Sequence, residues 1–359
     1  MTQDAQEAIA KANAAHRRAM AMPRLLDYGM DFADATALFA RTDAGEPWDA
    51  VAAELGRARL AKADVAEGEG HSLTSAGERQ RGIAALVFAQ MAFNFDIPEK
   101  RALYGELVSA CAALTRVSDM PFNRCEIPFG GKHLIGWLLR PSTPRADGTV
   151  ILFGGQTGWG VAYLPVARAL ARRNLAALLI EGPGQGETRI EQGIYLDADT
   201  DAAFSACVDA ILDDPTLGAP GIWGNSYGGL FAARTAAHDS RVAACCVNGS
   251  FATPGILPFR SAFEQSAAML GTEDRDAIDA NFARLRFDPG TMPIRCPLLV
   301  LHGGADPLVD LSDQQPFLDA ATGEARLETW PDGDHTIYNH GFDRTTLAAD
   351  WFAARLSTR

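Results

Sequence analysis

From about residue 121 the chain alternates short, nearly continuous apolar runs with amphipathic stretches of helical period. Few architectures accept that rhythm. Strands apolar on both faces must be covered on both faces, and the helical stretches between them supply the cover, so the pattern predicts a mostly parallel α/β sheet. The runs place eight strands at 124–128, 133–139, 149–153, 175–180, 221–223, 242–247, 298–301 and 326–330. Helices are expected over 163–173, 199–212, 226–238 and 345–356. In the last of these Leu347, Trp351, Phe352 and Leu356 form a stripe that would dock on the sheet. Residues 251–292 break the rhythm with proline-rich turns and helix-like segments, and are expected to form a lid insertion.

Residues 1–120 have a different texture and are expected to be an all-helical cap domain ahead of a catalytic domain at 121–359. Pro47 and Trp48 open an alanine-rich amphipathic stretch running to Ala63. Ser75, Ala76, Gly77 and Glu78 read as a capping box before a second, strongly apolar helix containing Ile83 to Phe93. Asp96 reads as the cap of a third, with Pro98 in its first turn and Leu103, Leu107 and Leu114 on its apolar face.

One pentapeptide carries chemistry. Gly224-Asn225-Ser226-Tyr227-Gly228 is a G-x-S-x-G sequence between an expected strand and an expected helix. In that context a serine sits on a tight, strained turn with its hydroxyl exposed above the sheet. A hydroxyl is a weak nucleophile near neutral pH and needs a base beside it and a third group to orient the base. Asp306 follows the strand at 298–301, and His335 follows the strand at 326–330, both on loops beyond strand C-termini, where open sheets gather their ligands. The order Ser226, Asp306, His335 is that of hydrolases with a nucleophile elbow. Asp310 and Asp313 compete for the carboxylate role and His340 for the base. His302 reads as a core histidine, and His16, His71, His133 and His238 as structural or surface residues.

The negative oxygen of a tetrahedral intermediate needs preformed donors. Tyr227, first residue of the helix after the serine, should supply one backbone N–H. The loop after the strand at 149–153 should supply the other, from Gln156 first and Gly155 second. Other motifs carry less. Glu181-Gly182-Pro183-Gly184-Gln185-Gly186 lacks dinucleotide-binding spacing and reads as a turn, Gly131-Lys132-His133 is not a phosphate loop, and Asn248-Gly249-Ser250 reads as a strand-end turn.

A formal charge of -13 repels phosphate backbones and anionic headgroups, so neither nucleic acid nor a membrane is an expected partner. A neutral organic molecule is easier to admit. The six cysteines show no zinc-ligand spacing, and neither a metal nor a cofactor is expected. The segment Met1 to Glu7 lacks a basic, then apolar, secretory pattern, so a cytoplasmic location with reduced thiols is the expectation.

The elbow, Asp306, His335 and the Glu181 to Gly186 turn together resemble the α/β-hydrolase superfamily over roughly 121–359; many members have Asp where Glu181 stands. A helical domain ahead of the core, with Trp48 and the Ser75-Ala76 helix start, and the stretch from Ala232 to Cys245, are similar to the dihydroxypseudooxynicotine hydrolase group. Fungal polyketide-shortening hydrolases and the fermentation-respiration switch protein share this architecture. The resemblance implies an α/β-hydrolase fold and cleavage of a carbon-carbon bond next to a carbonyl in a 1,3-diketone-like or acyl-aromatic substrate, through an acyl-enzyme. The same triad with an oxygen leaving group is a carboxylesterase, and a non-catalytic regulatory role is the third reading. Homodimerisation through the helical domain is a further expectation from the resemblance.

Overall fold

The computed structural model describes residues 2–156, 158–259 and 261–357. Contacts divide the chain into two compact units, Met1–Phe122 and Asn123–Arg359. The first is helical: α1 (Gln3–Ala19), α2 (Met22–Asp27), α3 (Phe32–Asp43), α4 (Trp48–Gly68), α5 (Ser72–Gln90) and α6 (Pro98–Val117). Helices α4 and α5 approach closely because two glycines face each other. A Cβ on Gly56 would lie 3.1 Å from the Gly82 carbonyl oxygen, and a Cβ on Gly82 would lie 3.1 Å from that of Gly56. Trp48 is buried and ties three segments, its backbone N–H donating to Asn13 Oδ1 at 3.2 Å and its indole to the Phe88 carbonyl at 3.2 Å. Asn13 in turn donates to the Thr42 and Glu46 carbonyls at 2.9 and 2.8 Å, so one buried amide satisfies the connection from α3 to α4.

Two expected caps are corrected. Ser75 lies inside α5, its N–H bonded to the His71 carbonyl at 2.9 Å, because Gly70 at φ +80° ends α4 and lets the chain re-enter a helix one turn earlier. Ile97, not Asp96, is the residue before α6, and Asp96 contributes its carbonyl to Arg101 Nε at 3.0 Å.

The second unit holds one eight-stranded sheet of β1 (Phe122–Phe129), β2 (Lys132–Leu139), β3 (Gly148–Phe153), β4 (Leu175–Glu181), β5 (Ala219–Asn225), β6 (Ala244–Asn248), β7 (Leu298–Gly303) and β8 (Ala325–Trp330). Their spatial order is β1-β2-β4-β3-β5-β6-β7-β8, with β2 antiparallel to β4 and the strands from β4 to β8 mutually parallel. All eight expected strands are present. Every residue of β3, β4, β6 and β7 is buried, as continuous apolar runs require.

Helices α7 (Leu164–Ala171) and α14 (Gly341–Leu356) pack together against the sheet, as do α9 (Thr200–Leu212) and α10 (Tyr227–His238). Phe153 stacks on Phe204 of α9 at 4.1 Å, and Trp223 on Phe352 of α14 at 6.0 Å. A short α8 (Gly186–Ile190) follows the Glu181 turn, α11 (Ala262–Leu270) and α12 (Arg275–Leu285) fill the 251–292 insertion, and α13 (Leu311–Asp319) carries an internal proline, Pro316. Register fixes the working end of the sheet. Phe153 pairs with Gly224, Asn225 with Asn248, Asn248 with Leu301, and Gly303 with Trp330, so the loops after β3, β5, β6, β7 and β8 leave at one level. Among the described residues no helix is long and apolar enough to cross a membrane. All six cysteines are free thiols.

Candidate active site

Ser226 follows β5 and precedes α10 with φ 56° and ψ -129°, a backbone conformation costing on the order of 1–3 kcal/mol for a non-glycine residue. Surrounding structure holds it there. Its N–H donates to the Asn248 carbonyl at 2.8 Å, and its own carbonyl accepts from Gly229 N–H at 2.8 Å. The turn is tight enough that a Cβ on Gly224 would sit 1.9 Å from the Gly228 carbonyl oxygen, so glycine is the residue that fits.

His335 Nε2 lies 3.0 Å from Ser226 Oγ, and His335 Nδ1 lies 2.8 Å from Asp306 Oδ2. Three side chains 80 and 29 residues apart along the chain thus form one line, in the geometry by which a carboxylate orients an imidazole against a hydroxyl. The Asp306 side chain is fully buried, and its other oxygen accepts from the N–H groups of Leu308 and Val309 at 2.8 and 3.2 Å. Thr336 and Ile337, directly after His335, have φ of 57° and 63°, so the chain leaves His335 through a strained turn. Asp334, just before it, has its carboxyl raised above the usual range by burial.

The competing candidates lie elsewhere. Asp313 caps α13 by accepting from Asp310 N–H at 2.9 Å, and His340 pairs with Asp332 at 2.9 Å in an exposed contact. His302 is buried in β7; His16 packs beside Trp48, His71 beside Glu69, and His238 against Asp201.

The loop after β3 reaches the elbow. A Cβ on Gly155 would lie 2.7 Å from Tyr227 N and 2.9 Å from Ser226 Cβ, which seats that backbone against the serine and leaves room for nothing larger than hydrogen. As first residue of α10, Tyr227 has no intrahelical partner for its N–H. Gln156 comes next in the loop; Thr157 is outside the described residues. The loop is held from behind by a residue that sequence reading missed. Gln185 Nε2 donates to the Gly154 and Gly155 carbonyls at 2.7 and 2.8 Å, while its Oε1 accepts from Gly182 N–H at 3.0 Å. Glu181 accepts from Glu187 N–H at 2.6 Å and completes the turn. The crowding of three glycines between 182 and 186 and a single Gln was the available signal, but glycine density alone does not say what a turn supports.

A second missed feature lies beneath the serine. Asn225, the first variable residue of the pentapeptide, donates to the Phe153 carbonyl at 3.1 Å, and Asn248 donates to Asn225 Oδ1 at 2.8 Å and to the Thr336 carbonyl at 3.1 Å. Two buried amides thereby join the ends of β3, β5 and β6 to the turn carrying His335.

Comparison with known proteins agrees with this architecture. Residues 148–286 match the family profile described as alpha/beta hydrolase fold. The chain is 28% identical over 293 residues to the 2,6-dihydropseudooxynicotine hydrolase of Paenarthrobacter nicotinovorans, covering 79% of this chain and 77% of that protein. The crystal structure of a 2,6-dihydroxy-pseudo-oxynicotine hydrolase superposes with a TM-score of 0.83 at 23% identity, covering 93% of this chain and 95% of that one. AbyA5 superposes with a TM-score of 0.68 at 20% identity, over 90% and 95% of the two chains.

Proposed function

We propose, on the premise that the chain is an α/β-hydrolase, that it is a serine hydrolase cleaving a carbon-carbon bond adjacent to a carbonyl through an acyl-enzyme. The observation that carries the reading is the unbroken line from Ser226 Oγ through His335 to the buried Asp306 carboxylate. In this scheme His335 Nε2 takes the hydroxyl proton as Ser226 Oγ attacks the substrate carbonyl carbon. The developing oxyanion accepts from the N–H groups of Tyr227 and Gln156, with Gly155 as the alternative donor, where α10 presents its positive end.

Collapse of the intermediate breaks the carbon-carbon bond, and the departing carbon takes the proton back from His335 Nε2. Expulsion of carbon is feasible when the electron pair it carries away is delocalised as an enolate or into an electron-poor ring, so the substrate class is a 1,3-diketone or acyl-aromatic compound. Water, deprotonated by His335, then attacks the ester on Ser226 and releases a carboxylic acid. Asp306 stays ionised throughout and stabilises the imidazolium. The 28% identity to a 2,6-dihydropseudooxynicotine hydrolase supports a substrate of that kind. The reading of residues 1–120 as a cap domain belongs to the same proposal and rests on the sequence.

Purified protein assayed against p-nitrophenyl esters, 1,3-diketones and acylphenols tests the scheme. Cleavage of a diketone or acylphenol to a carboxylic acid is the expected result, together with fluorophosphonate labelling at Ser226. Ester turnover with no diketone cleavage would make the protein a carboxylesterase. No labelling, and activity untouched in Ser226→Ala, would remove the catalytic reading in favour of a binding role.

A further inference from the structure

Both residues assigned to the oxyanion hole send their side chains to one place. The Tyr227 hydroxyl donates to the Gly255 carbonyl, and Gln156 Nε2 donates to Ser266 Oγ at 2.6 Å. Gly255 and Ser266 both belong to the 251–292 insertion, Ser266 within α11 and fully buried. The Tyr227 ring is packed by the same segment, edge-on to Phe251 at 4.6 Å and tilted against Phe282 of α12 at 5.7 Å. Burial raises the Tyr227 phenol above its usual range, so it stays a donor. The Gln156 amide oxygen is buried with no partner among the described residues, which leaves the Ser266 hydroxyl as the bond that fixes this amide.

The insertion is anchored at its ends and engages the loop between them. Ala252 N–H donates to the Asp313 carbonyl at 3.1 Å, Phe287 N–H to the Ala252 carbonyl at 2.8 Å, and Arg234 Nη1 to the Leu285 and Arg286 carbonyls, each at 3.2 Å. The Met269 carbonyl at the end of α11 accepts from Leu196 N–H at 2.9 Å, and a Cβ on Gly184 would lie 2.6 Å from that same carbonyl. Helix α11 therefore contacts both Gln156 and the turn whose Gln185 holds the Gly154 and Gly155 carbonyls.

We infer that the insertion sets the oxyanion hole: Ser266 and the Gly255 carbonyl are positioning groups that hold Gln156 and Tyr227 where their backbone N–H groups meet the developing charge. This rests on the serine-hydrolase reading above. Donors must be held within about 0.5 Å of the productive geometry, and a misplacement of about 1 Å costs roughly 10²-fold in rate. A displacement of α11 would change the competence of the hole through Ser266.

The test is a double-mutant cycle on the full chain with Ser266→Ala, Gln156→Met and both together. Folding is checked by thermal melting, and the readouts are kcat, KM and the affinity of a trifluoromethyl ketone that forms an oxyanion on Ser226. Expected are losses of about ten- to a hundredfold in kcat with KM within about twofold, equal losses in trifluoromethyl ketone affinity, and a double variant no worse than either single one. Should Ser266→Ala fail to fold, Tyr227→Phe reads the second tie by the same measures. Wild-type kcat in the single variants, losses confined to KM, or losses that multiply in the double variant would each overturn the inference. Such results with a Ser226-dependent enzyme would leave the hydrolase reading standing, whereas activity persisting in Ser226→Ala would sink that reading itself.

Discussion

Asn248 Nδ2 lies 2.8 Å from Asn225 Oδ1 and 3.1 Å from the Thr336 carbonyl, so a single buried amide joins the strand before Ser226 to the turn after His335. Thr336 has a second donor in Arg344 Nη1 at 3.1 Å, whereas Asn225 Oδ1 depends on Asn248. Asn248→Ala should therefore orphan one buried acceptor, at a cost of about 1–3 kcal/mol. Asn248→Asp should be worse, since a carboxylate would face two acceptors and offer neither a hydrogen. Urea unfolding of the three proteins gives the order, and equal stability of Asp and Ala variants would contradict it.

Gly155 makes a sharper statement about the site. A methyl there would lie 2.7 Å from Tyr227 N and 3.1 Å from the Asn225 carbonyl oxygen, in the space the oxyanion is proposed to occupy. Gly155→Ala should lower kcat by about 10²–10³, the loss expected when one oxyanion donor is removed. Gly105→Ala, where added bulk on α6 meets nothing within 4 Å, is the control and should leave kcat unchanged. Fluorophosphonate labelling rates should follow kcat. A Gly155→Ala enzyme of wild-type rate would move the hole elsewhere.

The sheet was legible because each buried strand is a continuous apolar run, and period alone separates 298–301 from its surroundings. Ser226 and Asp306 stand just beyond buried strands and His335 beyond the largely exposed strand at 325–330, all where the topology collects loops, and the structure brings the three side chains together. Helices α1 to α3 were not placed, and they bury few side chains, among them Asn13, Leu25, Ala35 and Leu38. Helix α13 escaped because Pro316 reads as a breaker. The supports of the site were invisible for another reason. Gln185, Asn248 and Ser266 act through one bond or two to residues 23 to 110 positions away, and no local spacing records such a contact. The capping sequences at Ser75 and Asp96 failed in the opposite sense, since a local motif can be present while the preceding turn decides where the helix begins.

Asp306 offers a test in which the surrounding backbone decides the outcome. In Asp306→Asn the amide oxygen should remain with the N–H groups of Leu308 and Val309, turning the NH₂ group toward His335 Nδ1. That donor fixes the imidazole with its hydrogen on Nε2, facing Ser226, and no base is left to take the hydroxyl proton. The expected loss in kcat at neutral pH is about 10⁴, with folding retained. Steady-state rates within about tenfold of wild type would show that Asp306 does not orient the base.

His16 makes the helical unit sensitive to acid. On α1 it lies 5.9 Å from the Trp48 ring, and burial lowers its pKa below the ordinary 6.5, with Asp49 opposing the shift in part. A histidine whose folded pKa is depressed is favoured neutral in the native state. Its neutral form is fully compatible with the fold above the unfolded value of about 6.5, and stability falls as pH drops below it, because the unfolded chain binds the proton first. Carboxylates elsewhere also titrate on acidification, so the informative quantity is the difference between wild type and His16→Gln. Urea midpoints at pH 8 and pH 5 should separate the two proteins by a pH-dependent amount, wild type losing more stability on acidification. A constant difference across that range would show that His16 reaches water freely when protonated.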